Sequence, residues 1–199
     1  NCDLGEGMDN DEDIMPHIHM ANICCGGHAG DLVLTEHTIL LAGRHQVRIG
    51  AHPGYLDKEN FVRTELHLPI QQVIQQIDHQ LQDFFKILRK HKLSLFHLKP
   101  HGALYHRVGK DGQLLDALCR LMQTWPMTPK LVIQASKDFT SKQKTAAKYD
   151  VELMVEGFLD RHYQADGQLV PRAQSNAVID EPDVIIERVQ HYLSCSQVK

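Results

Sequence analysis

Residues 94–105 read Ser-Leu-Phe-His-Leu-Lys-Pro-His-Gly-Ala-Leu-Tyr. The apolar start predicts a buried strand, and the Pro100–Gly102 break ends that strand before the next helix. In parallel α/β sheets and barrels, ligands bind at the carboxyl ends of the strands, because the connecting loops converge there. Two histidines, a lysine and a tyrosine at such a strand end are more than a solvated loop needs. This segment therefore predicts part of a functional site.

Three other segments have a similar design, with acidic or histidine side chains beside glycines. Residues 1–6 read Asn-Cys-Asp-Leu-Gly-Glu, residues 25–31 read Cys-Gly-Gly-His-Ala-Gly-Asp, and residues 50–55 read Gly-Ala-His-Pro-Gly-Tyr. We expect these segments to deliver their side chains to the same end of the sheet as residues 97–105.

Composition limits the class of protein. A chain of 199 residues predicts one domain over 1–199 with its own core, and 42% hydrophobic with 23% charged residues is ordinary for a globular protein. A net charge of −4 argues against nucleic-acid binding, and no apolar run approaches the roughly 18 residues of a membrane span. Five cysteines, two of them adjacent and none in CxxC spacing, favour a reducing compartment. With no signal-peptide pattern, we expect a cytoplasmic protein.

Strands and helices alternate along the chain. The longest amphipathic pattern starts after Pro69 and continues to Leu88, where apolar residues recur at helical spacing and predict a core-facing helix. The alternation predicts an α/β fold with a mainly parallel sheet and right-handed crossovers. Periodicity leaves open whether that sheet closes into a barrel or stays doubly wound. Strands are predicted at 20–25, 47–51, 93–98, 130–133 and 151–155, a long excursion at 156–176, and a final helix at 182–193.

The carboxylates Asp3 and Glu6 lie at the end of the first strand. Alone they would be surface residues, but the glycines on either side let the backbone approach a ligand closely. His28 lies in a glycine-rich turn before a helix, where exposed N–H groups and the helix dipole could hold a carboxylate or phosphate. Asp31 is expected to cap that helix rather than to act in catalysis.

Histidines at three successive strand ends, His28, His52 and His101, favour a site, because imidazole serves acid–base chemistry near neutral pH and binds metals. His97 is expected to point into the sheet and support the site from behind. Lys99 either stabilises developing negative charge or is a rim lysine. These residue types leave open a divalent-metal hydrolase and a metal-free amide hydrolase, whereas the absence of a GxSxG elbow argues against a serine hydrolase.

Five segments together resemble the LamB/YcsF family, in family order along the chain. They are NCDLGEG at 1–7, ANICCGGHAGD at 21–31, IGAHPGY at 49–55, HLKPHGALY at 97–105 and FLDRHYQADGQLVPR at 158–172. The resemblance implies an irregular (β/α) barrel of the glycoside hydrolase/deacetylase type.

The same resemblance implies ring opening of the lactam 5-oxoproline to glutamate, driven by ATP, in a complex with two further subunits. A lactam carbonyl is poorly electrophilic, and phosphorylation of its oxygen would create a leaving group. The residues expected in catalysis are Asp3, Glu6, His52, Lys99 and His101. Those expected to bind substrate are His28, Tyr105, Arg161, Tyr163 and Arg172. If a divalent metal takes part, its expected ligands are Asp3, His28, His52 and His101.

The chain also departs from the family pattern. It is shorter between Glu6 and Ala21, it has Gly27 where an aromatic residue is usual, and it lacks the closing strand with the Asp-Thr-Ile-Cys-Val-His-Gly-Asp motif. We therefore expect a barrel that is incomplete at its C-terminal side, with an edge able to pair with another copy in a homo-oligomer. Two alternative functions follow: a metal-dependent deacetylase-type amide hydrolase, and a non-catalytic ligand-binding or regulatory subunit.

Overall fold

The computed structural model describes residues 1–58, 66, 68–165, 167–172 and 174–195. Strands and helices alternate along the described chain as the sequence predicts, with boundaries that shift by a few residues. In chain order the elements are β1 (Cys2–Leu4), α1 (Asp11–Ile14), a 3-10 helix (Met15–His17), β2 (Met20–Cys24), α2 (Leu32–Arg44), β3 (Arg48–His52), α3 (Ile70–His91), β4 (Leu95–Leu98), α4 (Gly102–Lys110), α5 (Gly112–Gln123), β5 (Lys130–Gln134), α6 (Phe139–Ala147), β6 (Leu153–Glu156) and α7 (Pro182–Cys195).

The six strands form one sheet in the order β1-β2-β3-β4-β5-β6. The pairs from β1 to β5 are parallel, and β6 follows β5 through the bonds from Leu131 N–H to Glu152 O and from Ala135 N–H to Glu156 O. A doubly wound sheet reverses its strand order at a switch point, whereas this order advances in one direction, as in a (β/α) barrel. The predicted α/β fold of the barrel type is confirmed, and its sheet has six strands in consecutive order.

The core lies between the sheet and its helices. The apolar stripe of α3 is buried as predicted, with Val73, Ile77, Leu81 and Phe84 each at most 1% exposed. α3 packs against α2 and α5, and α2 also contacts β2 and β3. Among the described helices, none is both long and apolar enough to cross a membrane.

Contacts along the chain divide it into two compact units. Unit 1 comprises 1–133 and 141–154, and unit 2 comprises 134–140 and the described residues from Val155 onward. Within unit 2 the long excursion is held by antiparallel bridges between Arg161 and Val178 and between Tyr163 and Leu169. Asp166 and Ala173, within the predicted excursion, lie outside the described residues. The single domain over 1–199 stays a prediction.

Candidate active site

Glycines bring the ends of β1 and β2 together. Gly5, with φ +73°, turns the chain after β1, and its N–H donates to Asp11 Oδ2 at 2.8 Å. A Cβ on Gly30 would lie 2.6 Å from the Gly5 carbonyl oxygen, and Gly30 has φ +57°. A side chain at position 30 would therefore force apart the loops that carry Glu6 and His28. These two loops can meet because residue 30 is glycine.

His28 lies in the loop after β2 and is 1% exposed. Its Nε2 lies 3.0 Å from Glu6 Oε1, and a Cβ on Gly54 would come within 2.7 Å of its Nδ1. Burial lowers the pKa of His28, although hydrogen bonding to Glu6 acts in the opposite direction. At neutral pH the imidazole is therefore neutral and donates from Nε2 to the carboxylate.

The ends of β3 and β4 supply the next two histidines. His52 closes β3, and its Nδ1–H donates to the Lys99 carbonyl oxygen at 2.6 Å. His101 precedes α4, and its backbone N–H donates to the Pro53 carbonyl oxygen at 2.8 Å, so the loop after β4 stays attached to the loop after β3. This attachment places His101 Nδ1 3.0 Å from His52 Nε2.

Glu6 is the centre of what we call the Glu6–histidine cluster, which comprises Glu6, His28, His52 and His101. Its Oε1 lies 3.0 Å from His28 Nε2, 3.4 Å from His101 Nδ1 and 3.9 Å from His52 Nε2. The His28 and His101 rings stack with centroids 3.6 Å apart. One nitrogen or oxygen from each of the four residues lies within 4.8 Å of all the others, so the cluster could hold a cation.

Asp3 lies beside this cluster rather than within it. Its Oδ1 accepts from Asn22 Nδ2 at 2.6 Å and from Lys99 Nζ at 3.2 Å, and its Oδ2 lies 3.4 Å from His52 Nε2. Burial opposes ionisation of Asp3, but His52, Lys99 and the Asn22 amide outweigh it and hold the pKa of Asp3 well below its usual value. Asp3 is therefore a stable anion. For a metal the structure favours Glu6, in place of the predicted Asp3, as the carboxylate grouped with the three histidines.

Lys99 and Tyr105 extend this side of the site. The Lys99 ammonium group also donates to Asn1 Oδ1 at 3.2 Å, and it lies 5.9 Å from the centroid of the Tyr105 ring. Tyr105 is buried in α4. The predicted substrate-binding tyrosine therefore contacts the lysine that carries the positive charge of the site.

Two buried amides in the site were not predicted from sequence. Asn22 is fully buried in β2 and bonds to Asp3, and its only sequence signal is a polar residue inside the apolar run 20–25. Gln80 of α3 donates to the Gly54 carbonyl oxygen at 2.8 Å and accepts from the Gly54 N–H at 3.3 Å. It occupies the space where a Cβ on Gly27 would lie, 2.3 Å from its Oε1, so Gly27 makes room for an amide that holds the loop beside His28.

Three of the cysteines are buried, and Asp31 caps a helix, as the sequence predicts for Asp31. Cys24, Cys25 and Cys119 are buried, and burial raises the pKa of Cys24 to about 11 and that of Cys119 to about 12. These thiols are therefore protonated at neutral pH. Asp31 caps α2 by accepting the Leu34 N–H at 2.8 Å, so a side-chain anion already occupies that helix end.

The three predicted substrate-binding residues of the excursion lie in unit 2. Arg161 is 5% exposed and donates to the carbonyl oxygens of Ala177 at 3.0 Å and Val170 at 2.6 Å. Tyr163 accepts the Phe158 N–H at 2.6 Å, and Arg172 is exposed. The described contacts of Arg161 and Tyr163 organise their own unit, and the role of all three residues in substrate binding stays a prediction.

Comparisons with known proteins agree with the predicted family. The model of the LamB/YcsF family matches residues 1–199. A protein of Vibrio parahaemolyticus, named as a 5-oxoprolinase subunit, is 37% identical over 204 residues, covering 100% of this chain and 80% of that protein. The protein of the same name from Vibrio vulnificus is 39% identical over 191 residues, which cover 93% of this chain and 76% of that protein.

A solved structure resembles the fold as well. The lactam utilization protein from Thermus thermophilus superposes with a TM-score of 0.87 at 29% identity, covering 98% of this chain and 80% of that one. The family match over the whole length and the identities to curated relatives lead to one conclusion. The chain is a member of the LamB/YcsF family.

Proposed function

We propose that this chain acts in the ATP-dependent hydrolysis of the 5-oxoproline lactam to L-glutamate, together with two further subunits. Relatives named as a component of 5-oxoprolinase and as a lactam utilization protein support this substrate class. The observation that carries the proposal is the Glu6–histidine cluster, with a carboxylate in contact with three imidazoles, beside the Asp3–Lys99 ion pair. Such a site holds proton acceptors, proton donors and a positive charge within a few ångströms.

The reaction requires each of these groups. The lactam oxygen attacks the γ-phosphorus of ATP and releases ADP, and this makes the ring carbon electrophilic. Water then adds to that carbon, the carbon–nitrogen bond breaks, and a second water releases phosphate from the resulting acyl phosphate. A base must take a proton from the attacking water, an acid must protonate the departing ring nitrogen, and a cation must stabilise the negative charge on oxygen.

The geometry favours particular residues for these roles. Asp3 is a poor base because its pKa is held low, so it serves to orient Lys99 and His52. Glu6 is placed to take the proton from water, and His101, 3.4 Å from Glu6 and next to His52, is placed to pass a proton to the ring nitrogen. Lys99 supplies the positive charge. His28 and Tyr105 border the space in which the lactam would bind.

Glutamate formation from 5-oxoproline and ATP tests this proposal, measured for the chain alone and with its two partner subunits. We expect turnover in the complete complex and a loss of at least about 100-fold in His101→Ala, the usual scale for a lost proton-transfer group. His45→Ala, an exposed histidine after α2, is the control. Retained turnover in His101→Ala would remove that residue from the proton-transfer step. Substrate binding without turnover in the complete complex would instead favour a regulatory role for the chain.

The same cluster favours a second candidate, a metal-dependent amide hydrolase. His52 has its Nδ1–H bonded to a carbonyl oxygen, so Nε2 is the nitrogen that faces the site, 3.0 Å from His101 Nδ1, 3.4 Å from Asp3 Oδ2 and 3.9 Å from Glu6 Oε1. Three imidazole nitrogens and one carboxylate oxygen suit zinc, and the bond from His52 Nδ1 to a carbonyl oxygen is the usual support for a metal-binding histidine. A bound zinc would polarise the amide carbonyl and acidify water.

Metal content decides between these candidates. If the second candidate is correct, the protein purified without chelator holds about one zinc per chain by elemental analysis. His52→Ala should then weaken zinc binding by at least about 10-fold, whereas the exposed His79→Ala should leave it intact. A protein that lacks metal and keeps full turnover after dialysis against a chelator would leave only the metal-free mechanism.

A further inference from the structure

Four neighbouring strands carry a row of residues at one level of the sheet. Asp3 of β1 is the register partner of Asn22 in β2, Asn22 that of Gly50 in β3, and Gly50 that of His97 in β4. The side chains of register partners in a parallel sheet point to the same face. Asp3, Asn22 and His97 therefore lie in one layer, and Gly50 adds no side chain to it.

Hydrogen bonds join this layer into a chain. Asn22 Nδ2 donates to Asp3 Oδ1 at 2.6 Å and to Asn1 Oδ1 at 2.7 Å, and Asn22 Oδ1 lies 2.7 Å from His97 Nε2. Because Nδ2 faces two oxygens, the amide can take only one orientation, and its oxygen must accept from His97. His97 is therefore the tautomer with its proton on Nε2.

His97 reaches Asn22 across β3 only because residue 50 is glycine. A Cβ on Gly50 would lie 2.0 Å from His97 Nε2 and 2.1 Å from its Cε1. The imidazole occupies the space that the side chain of residue 50 would fill. The His97 ring thus spans the width of β3 and joins β4 to β2.

The burial of polar residues in this arrangement lowers stability, and packing alone does not explain their presence. Asn22 and His97 are both 0% exposed, and His97 Nδ1 is buried with no hydrogen-bond partner among the described residues. Burying an unpaired polar atom destabilises a fold, and an apolar residue at 97 would avoid it. What the ring contributes in return is the bond that orients Asn22.

We propose that Asn22 and His97 are positioning residues, which hold the Asp3 carboxylate in the orientation that the reaction needs. This inference rests on the proposed function for the role of Asp3. With Oδ1 held by Asn22 and shared with Lys99, Oδ2 is left directed at His52. Without His97 the Asn22 oxygen loses its donor, so the amide is held only through Nδ2 and fixes the carboxylate less firmly. The pKa of His97, lowered by burial to about 3, keeps the ring neutral across the physiological range.

Paired variants of residue 97 test this inference in the reconstituted complex. In His97→Gln the amide nitrogen can replace Nε2 as the donor to Asn22, whereas His97→Leu fills similar space without a donor. We expect His97→Leu to lower kcat by about 100-fold, the effect of misplacing a catalytic group by about 1 Å, with little change in KM. His97→Gln should recover most of that loss. His79→Leu, on the exposed face of α3, is the control for replacing a histidine.

Crystal structures of both variants separate this inference from the proposed function. We expect Asp3 to turn away from His52 in His97→Leu and to keep its place in His97→Gln. If the wild-type complex forms no glutamate, the proposed function fails, and the position of Asp3 alone then decides the inference. An unmoved Asp3 in His97→Leu would overturn it, and so would equal kcat values for the Leu and Gln variants when the wild type is active.

Discussion

His97 is a buried imidazole whose ionisation is opposed by the fold. Burial is the main cause that lowers its pKa to about 3, and the positive charge of Lys99 acts in the same direction. In the unfolded chain the ring titrates near about 6.5. At a pH between about 3 and about 6.5, His97 is protonated in the unfolded chain and unprotonated in the native one. The free energy of unfolding therefore falls as the pH drops from about 6.5 toward 3, and above that window His97 contributes no pH dependence.

The variant His97→Gln should reduce this pH dependence. At pH 5 the wild type should lose about 2 kcal/mol of unfolding free energy relative to pH 8 through His97 alone, and the variant should keep only the contributions of other groups such as His28. Urea unfolding at the two pH values measures the difference. The exposed His79→Gln should behave as the wild type does. The idea fails if the wild type and His97→Gln lose the same stability on acidification.

At the scale of elements, β3 matters to the site in two ways: it carries His52, and it has no side chain at Gly50. Gly50 separates Asn22 and His97 in the row of register partners, and there is no room for a methyl group because a Cβ would lie 2.0 Å from a buried ring. A ring packed at 0% exposure cannot move aside as a flexible surface side chain can. The glycine is therefore required by its neighbour on the next strand and not by its own backbone angles.

Gly50→Ala should destabilise the protein by about 3 kcal/mol, the upper range for overpacking a core. Removing the clash should recover part of this loss, so the double variant Gly50→Ala/His97→Ala should be more stable than the sum of the two single effects predicts. Gly109→Ala is the matched control, since its Cβ would meet nothing within 4 Å in α4, and it should stabilise by about 0.5–1 kcal/mol. Urea unfolding of the four variants measures the coupling, and additive effects would contradict it.

At the scale of the molecule, the site depends on four separated segments. Glu6, His28, His52 and His101 follow β1, β2, β3 and β4, and the parallel sheet with consecutive strand order brings those four strand ends to one edge. A ligand held by the Glu6–histidine cluster would contact all four segments at once, so it would bind only the folded chain. Its binding free energy is therefore coupled to global unfolding.

A lactam present at about 100 times its dissociation constant should raise the free energy of unfolding by about 2.7 kcal/mol. For a chain of this size this corresponds to a rise of about 5–10 °C in Tm. Thermal unfolding with and without 5-oxoproline measures the shift. His52→Ala should abolish it, and the exposed His79→Ala should preserve it. A shift of equal size in His52→Ala would place the binding site elsewhere.

The sequence by itself determined the alternation of strands and helices, the core face of α3, the cap at Asp31 and the segments that carry the site, because these depend on local periodicity and on residue types next to glycine and proline. Tertiary structure decided what those patterns do not contain. The consecutive strand order selected the barrel type, and the register placed Asn22 between Asp3 and His97. Distances in space grouped Glu6 rather than Asp3 with the histidines. The physical reason is that hydrogen bonds and close contacts join residues up to 98 positions apart, such as Asn1 and Lys99, and local periodicity carries no record of them.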